Sequence, residues 1–138
     1  MLKNIVFFLF FIVTGSIVQS GQDLRCVVTL QFASDQKGSI ANYILNLQLK
    51  NTTGRNITGA SILYKNDAME IIGNSFLECG APLGEIKPGS YGNCEAVLQK
   101  VDGQFIVEFG TEKWTEIVNT QLSYLNNIQY CELLGFSY

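Results

Sequence analysis

Apolar and polar residues alternate most regularly in the stretch from Asn42 to Lys50. Every second position is apolar, and these positions are Tyr43, Leu45, Leu47 and Leu49. Successive side chains of a β-strand point to opposite faces, so the pattern predicts a strand with one buried face. A polar, glycine-containing corner follows at residues 51–59, and apolar alternation returns from Ala60 to Tyr64. We therefore predict a strand, a turn and a second strand across this stretch.

Similar patterns mark candidate strands elsewhere in the chain. The candidates span residues 25–32, 42–50, 60–64, 69–72, 93–101, 105–109, 115–118, 121–125 and 128–134. The stretch from Gly73 to Gly92 is rich in Gly and Pro and is predicted to be irregular. Seven or eight short strands drawn from these nine candidates, separated by turns roughly every 8 to 12 residues, are typical of an all-β, antiparallel, immunoglobulin-like β-sandwich.

The best-marked hairpin is centred on Asp102-Gly103, a favoured two-residue turn. It is predicted to join the strand that ends at Val101 to a strand that begins at Phe105. The next segment has two interpretations. Its Thr, Val, Ile and Tyr content favours strands, whereas the spacing of its apolar residues is typical of a helix over residues 112–122. We adopt the strand interpretation, which completes an all-β domain.

An apolar run near the N-terminus indicates export. Lys3 precedes the apolar residues 5–13, and Val18-Gln19-Ser20 offers permissive residues for cleavage after Ser20. This layout predicts a secretory signal peptide over residues 1–20, followed by a single domain over residues 21–138. A membrane anchor is the weaker alternative, because Thr, Gly and Ser interrupt the run before the roughly 20 apolar residues that a span needs. We expect a secreted, extracellular protein with no membrane insertion after cleavage.

The cysteines form an even set, Cys26, Cys79, Cys94 and Cys131. In an exported chain this favours disulfides, and four cysteines allow three pairings. We predict that Cys79 pairs with Cys94, a bond that would staple the loop between two neighbouring strands. We also predict that Cys26 pairs with Cys131, between the opening and the closing strand. A metal site is not favoured, because the spacing is not of the paired C-x-x-C type and the chain contains no histidine.

The residue types argue against most catalytic designs. Without histidine, neither a Ser-His-Asp nor a Cys-His nucleophilic site can form. Glu108, Glu112 and Glu116 could offer the paired carboxylates of a glycosidase, but a solvated acidic face is the favoured interpretation. We therefore predict a protein that is not an enzyme and uses no cofactor. A net charge of −3 without a block of Lys or Arg argues against nucleic-acid binding.

Aromatic side chains remain as candidates for ligand binding, because a flat ring packs on the C–H face of a sugar. Trp114 is the first candidate, since polar residues surround it in the sequence, and Tyr91 and Tyr124 are the others. The alternative for Trp114 is a place in the core, where the tryptophan of a small sandwich usually packs. Two Asn-X-Thr acceptors, Asn51 and Asn56, lie on the polar corner and predict N-glycosylation.

Four stretches share a pattern of an opening strand, a strand ending in Asn, a return strand and a Leu-x-x-Ile-x-Pro-Gly turn. They are Cys26-Val27-Val28-Thr29-Leu30, the segment from Tyr43 to Asn51, the segment from Ile57 to Ile62, and Leu83-Gly84-Glu85-Ile86-Lys87-Pro88-Gly89. The pattern resembles the small cellulose-binding modules of plant glycoside hydrolases and of extracellular proteins of social amoebae. The resemblance implies a β-sandwich that binds polysaccharide. The chain departs from those modules in its four cysteines, in lacking a tryptophan before the Pro-Gly turn and in its longer C-terminal section, so no binding residue is carried over.

Three functional hypotheses follow from the predicted export, the missing catalytic groups and the aromatic side chains. The leading hypothesis is a secreted, non-enzymatic binding module for an extracellular polysaccharide. The second is a secreted ligand that recognises a cell-surface protein through the loop from Gly73 to Gly92. The third is an extracellular matrix or coat component, which would self-associate.

Overall fold

The computed structural model describes residues 22–36 and 38–138. These residues form seven strands and two helices. In chain order they are β1 (Asp23–Arg25), β2 (Val27–Asp35), β3 (Gly38–Lys50), β4 (Gly59–Lys65), β5 (Ile71–Cys79), β6 (Tyr91–Asp102), α1 (Gln104–Phe109), α2 (Thr111–Leu125) and β7 (Tyr130–Ser137). The predicted signal peptide, residues 1–20, lies outside the described residues.

The strands form one antiparallel sheet in the order β1-β7-β4-β5-β6-β3-β2. β1 and β2 lie at its two edges, yet only Cys26 separates them in the chain. The edges are therefore drawn together, and the sheet curls into a half-barrel. The predicted antiparallel β structure is confirmed. Two packed sheets, as in an immunoglobulin-like sandwich, are not seen in the described residues.

β3 contains the predicted strand 42–50 and pairs with β2 on one side and β6 on the other. Its inward positions are buried, and they are Ala41, Tyr43, Leu45, Leu47 and Leu49. The Tyr43 hydroxyl donates a 2.6 Å hydrogen bond to the backbone carbonyl of Val118 in α2. Since Val118 and Leu125 of α2 are also buried in the core, this helix packs over the concave face of the half-barrel.

The hairpin predicted at Asp102-Gly103 is wrong, because β6 ends at Asp102 and the chain enters α1. The Asp102 carboxylate accepts a 3.0 Å hydrogen bond from the backbone N–H of Gln104, which supports the first helical turn. Gly103 packs so closely on Ser39 that a side chain would collide with the Ser39 carbonyl. Gly103 is therefore needed for a close contact with β3, not for a hairpin turn.

The strands predicted at 105–109, 115–118 and 121–125 are also wrong, and the alternative helix over residues 112–122 is confirmed by α2. The apolar residues of α2 that pack with the core are Trp114, Ile117, Val118, Leu122 and Leu125. They recur at helical spacing, and their burial outweighs the strand preference of the β-branched residues of this helix. Gly110 separates the two helices with a φ of +85°, a conformation that favours glycine.

β5 extends into a stretch predicted to be irregular. The sequence predicts a strand over residues 69–72 alone, whereas β5 runs from Ile71 to Cys79 and only residues 80–90 connect it to β6. β5 pairs along its length with β4. Within the described residues, only Glu78↔Glu95 and Cys79↔Cys94 join β5 to β6. This short contact, the β5–β6 seam, is the least extensively paired junction of the sheet.

Both predicted disulfides are confirmed. Cys79–Cys94 crosses the β5–β6 seam at a register pair, with Cα atoms 4.0 Å apart. Cys26–Cys131 connects the junction of β1 and β2 to β7 and links residues 105 positions apart. The second disulfide therefore fixes the point at which the curled sheet brings its edges together.

Candidate functional site

A groove of about 610 Å³ lies where β2 begins, beside outward-facing side chains of β3 and β6. Side-chain carboxamides form much of its lining, and they belong to Asn46, Gln48, Asn93, Asn126 and Gln129. The alternation that buries the odd positions of β3 turns Asn46 and Gln48 outward, and the register places Asn93 opposite Gln48. The remaining two come from the connection between α2 and β7. We call this cavity the carboxamide groove.

Hydrogen bonds orient the carboxamides that β3 and β6 contribute. Asn46 Nδ2 donates to Thr29 Oγ1 at 2.8 Å, and Asn93 Nδ2 donates to Asn46 Oδ1 at 3.3 Å. Gln48 is exposed, and its side chain makes no hydrogen bond within the described part of the chain. The Gln48 carboxamide can therefore bind a ligand without giving up a contact of the fold.

The opposite wall of the groove is also held in place. Arg25 Nη1 donates to Gln129 Oε1 at 3.2 Å, and Gln129 Nε2 donates to the Asn126 carbonyl at 3.1 Å. Arg25 is the one charged side chain among the described residues that line the groove, and its guanidinium lies 5.3 Å from the Tyr130 ring centroid. Because the other described side chains of the lining are uncharged, the groove presents mainly neutral donors and acceptors.

A second groove of about 360 Å³ shares Gln48 with the first and is called here the tyrosine groove. Tyr91 lines it and is 70% exposed. Lys50 is the register partner of Tyr91, and its Nζ lies 5.6 Å from the ring centroid. The two grooves together, named the outer-face site, combine carboxamides with an exposed aromatic ring.

An ion cluster attaches β1, the strand that carries Arg25, to its neighbours. Lys65 Nζ contacts Asp23 Oδ1 at 2.9 Å and Glu132 Oε1 at 3.1 Å. These hydrogen bonds raise the pKa of Lys65 above its usual value. Because the three residues belong to β1, β4 and β7, the cluster stabilises the end of the sheet that forms one wall of the carboxamide groove.

The structure does not bring together the three aromatic residues predicted to bind a ligand. Tyr91 lines the tyrosine groove, whereas Tyr124 is 66% exposed on α2 and lines neither groove as the described residues define them. Trp114 packs against the core, with its ring centroid 6.0 Å from that of Phe32. Its Nε1 is buried and has no hydrogen-bond partner among the described residues. These surroundings match the core alternative for Trp114.

Sequence reasoning missed the carboxamides. Asn46 and Gln48 occupy the mixed face of the predicted strand, so alternation alone marks them as outward-facing. Asn126 and Gln129 lie about 80 residues further along the chain. Their approach to β3 depends on how the sheet curls, and no local pattern signals it.

The acidic residues considered as catalytic groups lie elsewhere. Glu108, Glu112 and Glu116 are exposed on α1 and α2, and the described linings of the two grooves include none of them. Glu116 forms an exposed ion pair with Lys113 at 3.3 Å. Across residues 22–36 and 38–138, no group of three or more His, Cys, Asp or Glu side chains could hold a metal ion. The outer-face site is therefore the candidate functional site.

Comparison with known protein families, curated proteins and solved structures finds no match to this chain. Among the helices that the structure describes, none is long and apolar enough to cross a membrane.

Proposed function

We propose that this protein is a secreted, non-enzymatic module that binds a neutral extracellular polysaccharide at the outer-face site. The observation that carries the proposal is the set of carboxamides adjoining the exposed ring of Tyr91. A carboxamide offers both donors and an acceptor, which suits sugar hydroxyls that donate and accept. The aromatic ring supplies an apolar face on which a sugar ring packs.

The charge of the site favours a neutral ligand over a polyanion. Arg25 is held by Tyr130 and Gln129, and Lys50 lies near the Tyr91 ring. Arg25 is the one charged side chain among the described residues that line the carboxamide groove, and no cluster of cations for a polyanion is present there. A neutral glycan needs oriented hydrogen-bonding groups, and the mutual bonds of the carboxamides reduce the entropy lost when they are ordered on a ligand.

The resemblance to cellulose-binding modules supports the same class of ligand with different contact residues. The resemblance implies a β-sandwich fold. The proposed site needs only the outer face of β3 and β6 and the connection between α2 and β7. Gln48 lies between the two grooves, so a chain of sugar units could contact the carboxamides and Tyr91 at the same time. An extended ligand is therefore a better fit than a single monosaccharide.

The experiment is co-sedimentation of the purified mature protein with insoluble cellulose, chitin and starch. We expect saturable retention on at least one of them. Tyr91→Ala should weaken retention about tenfold, which corresponds to about 1.4 kcal/mol. Gln48→Ala should weaken it about three- to tenfold, the range expected for one hydrogen bond.

Tyr124→Ala is the matched control, because it removes an equally exposed tyrosine outside both grooves. Its retention should equal that of the unmodified protein. The fluorescence of Trp114 should also stay unchanged on binding, since that ring packs against the core. No retention on any polysaccharide, or equal retention of the Tyr91→Ala variant, would contradict the proposal.

A second candidate is recognition of a cell-surface protein near the β5–β6 seam. Phe76 and Val97 are 51% and 49% exposed and line a cavity of about 300 Å³ there. Exposed apolar side chains around a cavity are typical of protein-contact surfaces. Binding of labelled protein to cells should then be lost after protease treatment and in a Phe76→Ser variant. Binding lost only after glycosidase treatment would contradict this candidate and favour the first.

A further inference from the structure

The two predicted glycosylation acceptors have opposite surroundings. Asn51 is fully buried, with 0% of its surface exposed. Its Nδ2 donates 2.7 Å hydrogen bonds to the carbonyls of Arg55 and Ile86. Its Oδ1 accepts from the Thr53 backbone N–H at 2.9 Å and from Thr53 Oγ1 at 2.6 Å. The side chain therefore joins the polar corner to the segment that precedes β6.

The backbone of Asn51 is engaged as well. Its N–H donates to the Ser90 carbonyl at 2.9 Å, and its carbonyl accepts from the Gly89 N–H at 2.7 Å. Ile57 and Ile86 exchange a pair of backbone hydrogen bonds of 3.0 and 2.8 Å beside it. Every polar group of Asn51 is thus used to hold the corner against the Pro88-Gly89 turn.

Asn56 is exposed. Its Nδ2 donates one hydrogen bond, to Glu85 Oε2 at 3.0 Å. An asparagine that carries a glycan on Nδ2 keeps one N–H. The bond to Glu85 can therefore persist after modification, and the sugar can extend into solvent.

We propose that Asn56 is the N-glycosylation site of the exported protein and that Asn51 must stay unmodified for the chain to fold. The donor is a lipid-linked oligosaccharide diphosphate, supplied together with its transferase by the secretory pathway. The Asn56 Nδ2–sugar C1 bond forms as the C1–O bond to the diphosphate breaks. The diphosphate leaves with the electron pair, and one amide proton passes to the transferase.

The same reaction at Asn51 conflicts with the fold. A glycosylated Nδ2 has one hydrogen instead of two, so it cannot serve both the Arg55 and the Ile86 carbonyls. The first sugar would also have to occupy space that the protein fills. A chain modified at Asn51 before folding therefore cannot form this corner, and the folded protein contains the unmodified residue.

The experiment is secretion of the full chain from a eukaryotic host, followed by purification of the folded, disulfide-complete fraction. Peptides are mapped after enzymatic deglycosylation in ¹⁸O water, which marks each occupied asparagine. We expect occupancy at Asn56 and none at Asn51. Asn56→Gln and Thr58→Ala should each lose the glycan yet be secreted and folded, since both side chains belong to the exposed acceptor motif.

Thr53→Ala abolishes the other acceptor motif and keeps Asn51, at the cost of the hydrogen bond from Thr53 Oγ1 to Asn51 Oδ1, so the comparison uses its folded fraction. The mass of the glycan on this variant should equal that on the protein without the substitution. A glycan on Asn51 in the folded fraction would overturn the proposal. As a positive control, an acceptor motif is placed on an N-terminal tag of the same chain. The proposal would also be overturned if that motif carried a glycan and Asn56 did not. This test uses no polysaccharide, so its outcome is independent of the binding function.

Discussion

Removing the two disulfides one at a time should separate global stability from local opening. The Cys26–Cys131 bridge closes a loop of 105 residues and the Cys79–Cys94 bridge one of 15. In the chain-entropy account, loops of these lengths restrict the unfolded chain by about 4.7 and about 3 kcal/mol. The double alanine variant at Cys26 and Cys131 should therefore lose about 1.7 kcal/mol more stability in urea unfolding than the variant at Cys79 and Cys94.

Local opening of the sheet around the removed disulfide should instead be larger for the loss of Cys79–Cys94. β1 keeps three register pairs with β7, and the Cys26 N–H also bonds the Gln129 carbonyl at 3.3 Å. At the β5–β6 seam, Glu78↔Glu95 is the one other register pair within the described residues. The two glutamates of that pair carry like charges, which disfavours the contact at neutral pH. Loss of Cys79–Cys94 should therefore open the seam without unfolding the rest of the sheet.

Amide hydrogen exchange can detect this opening. The Gly80 N–H crosses the seam to the Asn93 carbonyl at 2.9 Å, so its protection reports the seam. In the Cys79/Cys94 variant it should fall far more than that of Leu47, in the buried centre of β3. In the Cys26/Cys131 variant, the free energy of protection should fall by similar amounts at both amides. This reasoning would be refuted if protection fell equally at Gly80 and Leu47 in both variants. It would also be refuted if the Cys79/Cys94 variant lost more free energy of unfolding than the Cys26/Cys131 variant.

Two further predictions concern Tyr43 and Lys65. Tyr43→Phe removes a buried 2.6 Å hydrogen bond to the Val118 carbonyl and should lower the free energy of unfolding by about 1 kcal/mol in urea titrations. Burial raises the pKa of Tyr43, and hydrogen bonds to Asp23 and Glu132 raise that of Lys65. The folded protein therefore holds both protons more tightly than the unfolded chain does. The contribution of these two groups to stability should be constant below about pH 10 and should be lost as the pH rises above it. Tyr43→Phe and Lys65→Met should each reduce that alkaline slope, and an unchanged slope in both would contradict the assignment.

The alternation of apolar and polar residues and the order of the cysteines predict much of the sheet. The first depends on neighbouring residues alone, and the second on the order of the strands along the chain. The inward series from Tyr43 to Leu49 identifies β3 without any knowledge of its partners. The Cys79–Cys94 pairing follows from the expectation that it staples the loop between two neighbouring strands, and Cys26–Cys131 from the expectation that it ties the opening strand to the closing one. These features need no information about how the sheet curls.

The errors arise where tertiary contacts compete with local preference. Asp102-Gly103 has the chemistry of a hairpin turn, but close packing of Gly103 on Ser39 and the Asp102–Gln104 hydrogen bond direct the chain into α1. The β-branched residues of α2 favour a strand in isolation. Their helical spacing with Trp114 and Leu125 prevails because the concave face of the half-barrel needs an apolar cover.

The candidate site depends on the same curl that local patterns cannot predict. Cys26 lies between β1, which pairs with β7, and β2, which pairs with β3. It also lines the carboxamide groove. The Cys26–Cys131 bridge therefore fixes the distance between the wall that carries Gln129 and the wall that carries Asn46. Cys79 and Cys94 do not line either part of the outer-face site as the structure describes it. If polysaccharide binding uses both walls, the Cys79/Cys94 variant should keep its retention while its seam opens, whereas loss of Cys26–Cys131 should weaken retention even under conditions where the protein stays folded.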